Sequence, residues 1–234
     1  MPSNAPARGP RFDVSPFRFS GTVYGTLLNS RAALAALGAA AEQPPYQAAP
    51  KSVVLYLKPP NTIVEAGDPV LVDAEAPELE AAAQLGLVIG RTACAVPEAE
   101  ALAHVAGYIV VVDFSVPHAS YFRPQVRFKA RDASCALGPA VAPAARIANP
   151  DALGIRVSVD GRVVQQGSTD DRVRTAARLI ADVSEFMTLA PGDILMTGAL
   201  PDAPRVRAGA RLGVEIEGLE RLEVHVAAAG GGLP

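Results

Sequence analysis

Cysteine is scarce in this 234-residue chain, which has two, Cys94 and Cys135. Two are too few for a disulfide framework, and they show no metal-ligand spacing. Their apolar or small-residue surroundings read as buried or half-buried free thiols, a usage that suits a reducing cytoplasm. No apolar run reaches the roughly 18 residues of a membrane span. Residues 1–16, rich in Pro, Ala and Ser, lack the apolar core of a signal peptide. The net charge is −3, so no whole-molecule field draws the chain to nucleic acid or to an anionic membrane. An anionic ligand would need a local basic pocket. His104, His118 and His225 have neither the spacing of a metal triad nor that of a catalytic relay and read as structural. There is no internal repeat and no linker.

What is present suits one sizeable core. Half of the residues are apolar and 19% are charged, the balance of a folded globular chain. The expected organisation is a flexible leader over 1–20, a single domain over 21–228 and a flexible tail over 229–234. Short apolar, β-branched runs predict strands at 23–28, 52–57, 85–89, 108–114 and 194–197, with a last β pair at 214–216 and 222–226. Asp160-Gly161 between 155–159 and 162–166 is a two-residue hairpin signal. Helices are expected at 31–41, at 97–105 (with Glu98 and Glu100 in its first turn, where the helix dipole favours acids) and at 172–185, where Val173, Ala176, Ala177, Ile180 and Val183 recur at helical spacing. Many strands with few helices imply an α+β fold built on a large mixed sheet.

Several charged residues have two readings each. Arg123, Arg127, Lys129 and Arg131 crowd nine positions, and the last three share the period of one strand face. Such a row can hold carboxylates, through the Arg fork and the Lys point charge, or it can guard a solvated edge strand against aggregation. Lys58 follows a strand and precedes Pro59-Pro60, where an exposed lysine is equally ordinary. Asp113 ends an apolar strand, where a carboxylate is costly unless paired or metal-bound; a capping or turn role is the alternative. Glu78 and Glu80, spaced i, i+2 before the 85–89 strand, can chelate a hard cation or simply belong to an acidic loop.

Read together and in order, several segments resemble the fumarylacetoacetate hydrolase family. They are Leu57-Lys58-Pro59-Pro60-Asn61-Thr62, Leu87-Val88-Ile89-Gly90-Arg91-Thr92-Ala93, and the stretch from Ala106-Gly107-Tyr108 to Asp113. Tyr121-Phe122-Arg123-Pro124, Lys129-Ala130-Arg131-Asp132, Val159-Asp160-Gly161 with Gln165-Gln166-Gly167, and Ser184-Glu185-Phe186-Met187-Thr188-Leu189 before Pro191-Gly192-Asp193 continue the series. The resemblance runs from about Gly21 to Val226. Gly21-Thr22-Val23-Tyr24 and Leu28-Asn29-Ser30-Arg31 are most similar to the N-terminal half of two-half members that isomerise and decarboxylate unsaturated 2-oxo dicarboxylic acids in aromatic-acid catabolism.

The resemblance implies a mixed β-sheet sandwich or roll with a few peripheral helices. It also implies enolate chemistry on a 2-oxo dicarboxylate and a Mg2+ or Mn2+ ion held by a Glu-x-Glu pair and an aspartate. Carried over by position, Asp113 is the surviving metal ligand, Lys129 and Asp132 are catalytic, and Lys58, Arg123, Arg131, Gln165 and Gly198 bind substrate. The Glu-x-Glu positions fall on Ala82 and Gln84, so the ion is expected to be absent or weakly bound. The family's lid histidine and glutamate fall on Ala33 and Ala36, and its Gly-Thr-Pro becomes Gly198-Ala199-Leu200. Two functions follow as expectations: an isomerase/decarboxylase subunit using Lys58, Lys129 or Arg131 without a metal, or a catalytically degenerate or organic-acid-binding partner. A homodimer, or a heterodimer with a metal-binding paralogue, is expected in the cytoplasm.

Overall fold

A computed structural model describes residues 10–12, 19, 22–64, 67–118, 120 and 126–229. The chain runs β1 (Arg11–Phe12), β2 (Val23–Leu27), α1 (Arg31–Leu37), β3 (Val54–Lys58), β4 (Ile63–Val64), β5 (Val70–Val72) and the long strand β6 (Glu78–Ile89). Next come α2 (Glu98–Ala101), β7 (Val105–Ser115), the one-turn helix α3 (Val126–Lys129), β8 (Cys135–Leu137) and β9 (Ala140–Pro143). The hairpin β10 (Gly154–Val159) and β11 (Arg162–Ser168) precedes α4 (Ala176–Ser184), β12 (Ile194–Met196), β13 (Arg205–Arg207), β14 (Arg211–Ile216) and β15 (Leu222–Ala228). The fold is α+β with mixed sheets and few helices, as the strand-rich pattern predicts.

The larger sheet has the path β1-β9-β7-β6-β12-β2-β3, with β13 added to β6 and β8 joining β7 to β4. The smaller is ordered β11-β10-β14-β15-β5. β6 and β7 are the central antiparallel pair of the larger sheet, and Leu85, Leu87, Ile89, Val110, Val112 and Phe114 on them are wholly or almost wholly buried. Each such side chain contributes about 1.5–3 kcal/mol by leaving water. The rigid β6–β7 pair is therefore the frame on which the polar residues nearer its open end are held.

Four expectations need correction. β6 begins at Glu78, so Glu78 and Glu80 are strand residues instead of loop residues; they pair with Arg207 and Arg205 on β13. Lys129 and Arg127 stand on the α3 turn, not on a strand, so the period-two alignment of the basic row fails: Arg127 is exposed while Lys129 is 6% exposed. The helix predicted from 172 starts at Ala176, because Thr175 caps it by accepting from the Arg178 N–H and the segment before it is spent on contacts to residues 29–32. Val173 is accordingly 40% exposed instead of on an apolar helix face. Cys135 is buried, but Cys94 is exposed. No helix among the described residues is long and apolar enough to cross a membrane.

Candidate functional site

A cavity of about 430 Å³ opens against the larger sheet, beside β6 and the C-terminal end of β7. Strand geometry sends alternate side chains to one face. Glu80, Ala82 and Gln84 from β6 and Asp113 and Ser115 from β7 thus line the cavity together. The ladder sets Ala82 opposite Asp113 and Glu80 opposite Ser115. From β3 the same period brings Tyr56 and Lys58 to one face. Tyr56 reaches the cavity wall; Lys58 is sealed behind it with 0% exposure.

Asp113 is the centre of the arrangement. The Lys58 ammonium lies 2.8 Å from its Oδ1, the Lys129 ammonium 2.8 Å from its Oδ2, and the Tyr56 hydroxyl donates to Oδ2 at 2.6 Å. Burial alone would raise the carboxyl pKa. The positive charges of Lys58 and Lys129 outweigh it and hold Asp113 at about 2. One carboxylate facing two ammonium groups leaves the cluster with net positive charge, in a place where poor solvation strengthens its hold on an anion.

The two lysines have different duties. Lys58 also donates to Ser134 Oγ at 2.8 Å, to the Phe114 carbonyl at 3.4 Å and to the Lys129 carbonyl. Its three N–H groups are taken up by protein. Lys129, carried on α3, lines the cavity itself, and its ammonium stands 4.5 Å from the centre of the Tyr56 ring, within cation–π range. Of the two lysines on Asp113, Lys129 is the one that faces the cavity.

Tyr56 carried no signal as a site residue beyond its position two before Lys58 on the same strand face. Burial first, then the negative charge and hydrogen bond of Asp113, push its hydroxyl well above the usual phenol range, against a lowering contribution from the Gln84 amide. The ring fits because its cross-strand neighbour is glycine: a Cβ on Gly25 would lie 2.0–2.5 Å from three ring carbons. Gln84 Oε1 accepts from the Gly198 N–H at 3.1 Å. Gly198 has φ +103°, and a Cβ there would come within 3.1 Å of Asn29 Cβ, so only glycine turns the chain at this point without strain. Cys135 pairs across from Asp113 on β8, and burial pushes its thiol up to about 12, which makes it inert.

Glu80, Asp202 and Arg205 also line the cavity. Arg205 bonds Glu78 at 3.1 Å and lies 3.8 Å from Glu80, while Arg207 meets Glu78 at 2.8 Å. Of the residues carried over from the resemblance, the structure brings Asp113, Lys129, Gln84, Ala82 and Gly198 together, with Lys58 directly behind them. It places three others elsewhere. Arg131 is ion-paired with Asp73, and Asp132 is exposed and accepts from Asn61 at 2.6 Å. Gln165 donates to the Pro201 carbonyl at 2.7 Å, touching the segment that lines the cavity but not lining it. Arg123 lies outside the described residues.

Fold and cavity thus define a mixed-sheet α+β protein with a small pocket held against its larger sheet, walled in part by the Asp113–Lys129 pair with Lys58 behind it. The chain belongs to the fumarylacetoacetate hydrolase family, whose description "fumarylacetoacetate (FAA) hydrolase C-terminal" matches residues 22–227. It is 36% identical over 203 residues to the 4-hydroxyphenylacetate degradation bifunctional isomerase/decarboxylase of Escherichia coli, an alignment covering 87% of this chain and 46% of that protein. The chain spans about half the length of such curated relatives. Among solved structures, 5-carboxymethyl-2-hydroxymuconate delta-isomerase from Mycobacterium smegmatis superposes with a TM-score of 0.76 at 28% identity, covering 91% of this chain and 81% of that one. Fumarylpyruvate hydrolase from Pseudomonas aeruginosa, in complex with Mn2+ and pyruvate, gives 0.76 at 26% identity, covering 96% of this chain and 98% of that one.

The donor set of this chain does not fit such an ion. An octahedral dication of this kind needs one or two carboxylates free to coordinate it, with water and ligand oxygens filling the remaining positions. Here Asp113 is ion-paired with two lysines, through Oδ1 to Lys58 and through Oδ2 to Lys129, Gln84 Oε1 accepts from Gly198, and Ala82 offers no donor. Glu78 and Glu80 are further along β6 and face arginines. Among the described residues no three His, Cys, Asp or Glu side chains gather as a metal site would require.

Proposed function

We propose that this chain is one half, or one subunit, of an isomerase/decarboxylase that acts on unsaturated 2-oxo dicarboxylic acids from aromatic-acid catabolism. In this reading its cavity binds the 2-oxo carboxylate end of the acid. The observation that carries the reading is Lys129, an ammonium pinned by Asp113 and turned toward a small cavity with net positive charge at its inner end.

Such a group meets the demand of the chemistry. Isomerisation and decarboxylation of a 2-oxo acid both pass through an enolate, whose negative charge gathers on the former carbonyl oxygen. When CO2 leaves from a carboxyl conjugated to the carbonyl through the C=C bond, and not from C1, the electron pair of the breaking C–C bond moves into that enolate, which is then protonated on carbon; on isomerisation a proton leaves one carbon and returns to another. A preorganised ammonium stabilises the oxygen without reorganising at the moment of reaction, and can pass a proton to or from it. Lys58 holds Asp113, Asp113 holds Lys129, and Tyr56 stays protonated beside them.

A second reading is favoured by one observation, the replacement of the Glu-x-Glu carboxylates by Ala82 and Gln84 in a chain that spans half of its relatives' length. The chain would then be a partner that pairs with a metal-binding relative and supports that relative's site. Turnover of a 2-hydroxy-2,4-dienedioate by the chain alone, followed as loss of dienol absorbance with and without Mg2+, separates the two. Metal-independent turnover supports the first. No turnover until a paralogue with intact glutamates is added supports the second, and turnover that requires Mg2+ in the chain alone contradicts both.

A further inference from the structure

The hydroxyl of Tyr56 belongs to the cavity wall but takes no part in the enolate chemistry. Three observations define its place. It donates to Asp113 Oδ2 at 2.6 Å. It shares the cavity wall with Ala82 and Gln84, the two positions where the family's metal glutamates would stand. And its ring is seated there by a glycine, since any side chain on Gly25 would collide with it.

An ion bridging β6 and β7 would touch the side chains at 82, 84 and 113. Ala82, opposite Asp113 on the ladder, offers no donor from the β6 side, and the phenol, coming from β3, donates to Asp113 Oδ2. We infer that the Tyr56 hydroxyl stands in the place of a divalent ion, so that the chain carries a metal-excluding anion site in which Lys129 supplies the charge. Tyr56 is a positioning residue here: it takes one acceptor site on Asp113 Oδ2 and faces Lys129 with its ring. The inference rests on the proposed reading of the cavity as a 2-oxo acid site but concerns metal affinity, which is measured without turnover.

The test restores the missing carboxylates and asks what still blocks the ion. Mn2+ binding is titrated by electron paramagnetic resonance in the wild type, in Ala82→Glu/Gln84→Glu, and in the same double variant carrying Tyr56→Phe, with circular dichroism confirming that each is folded. The wild type takes up no stoichiometric Mn2+, and the double variant binds it weakly. Removing the hydroxyl tightens binding at least about tenfold, or about 1.4 kcal/mol. Equal affinity in the double and triple variants overturns the inference, as does one tightly bound Mn2+ per wild-type chain. A second readout does not depend on the redesigned variants folding: calorimetric titration of the wild type with pyruvate, in EDTA and in excess Mn2+. Equal pyruvate affinity in both agrees with the inference, and clear tightening with Mn2+ overturns it. If metal is excluded while turnover is absent, the enzymatic reading fails and this one stands.

Discussion

The Lys58 ammonium meets Asp113 Oδ1 at 2.8 Å with both side chains wholly shielded from solvent. A buried pair of this kind holds its geometry because either charge alone would be stranded in a poorly polarisable interior. Lys58 therefore acts on any ligand indirectly, through the carboxylate that also anchors Lys129.

Replacing Lys58 by Met should destabilise the fold by about 3 kcal/mol, the lower part of the range for breaking a buried ion pair, because Lys129 and Tyr56 still attend Asp113. Urea unfolding followed by circular dichroism measures it. A loss below about 1 kcal/mol would mean that the pair contributes little beyond a surface salt bridge.

The same carboxylate makes stability depend on pH in a defined window. Asp113 has its folded pKa depressed from 3.8 to about 2, so below neutrality the unfolded chain takes up this proton first. The stabilising contribution is fully present above about pH 4 and disappears as pH falls through about 2. Urea midpoints measured between those limits should decline toward the acid end, and Asp113→Asn should remove this share of the decline. A variant with the same acid limb as the wild type would place the dependence on other groups.

Lys129→Ala tests the ligand-facing cation. Loss of one charge-assisted hydrogen bond costs about 1.5–3 kcal/mol, so calorimetry with oxalate, a planar mimic of a 2-oxo acid enolate, should show weakening of about tenfold or more. Unchanged affinity would take Lys129 out of the site.

Arg172 offers a prediction away from the cavity. It is 3% exposed, and none of its three guanidinium nitrogens has a hydrogen-bond partner among the described residues. Burial lowers its pKa, and nearby Asp171, Asp151 and Asp170 oppose that shift. Arg172→Met keeps the bulk and removes a poorly satisfied buried charge, so thermal unfolding should move upward, by about 1–3 kcal/mol of stability. A clear decrease would show that the surrounding acids need this guanidinium more than burial penalises it.

Much of this was legible in the residues, and the failures have physical causes. Central strands at 85–89 and 108–114 announced themselves because continuous apolar runs have few other uses in a folded chain. Asp113 stood out because a carboxylate in such a run demands partners. The start of β6 was hidden by Glu78 and Glu80, whose charges imitate a loop but face Arg205 and Arg207 on a neighbouring strand that only the fold brings near. The basic row misled because alternating charges fit a strand and a solvated turn equally well, and the chain adopts a single helical turn that buries Lys129. Tyr56 left no trace because an aromatic residue in a strand is ordinarily core; its task depends on Asp113, 57 positions later.

The close fit of Tyr56 against Gly25 has an evolutionary consequence. Neither position can drift alone: a larger residue at 25 would evict the ring, and loss of the ring would leave Asp113 short of a donor. Relatives that share the Gly25–Tyr56 pair should also lack carboxylates at the positions of Ala82 and Gln84, whereas relatives with both glutamates should be free to vary at the other two. Four columns of a family alignment would thus sort its members into two lineages before any of them is purified.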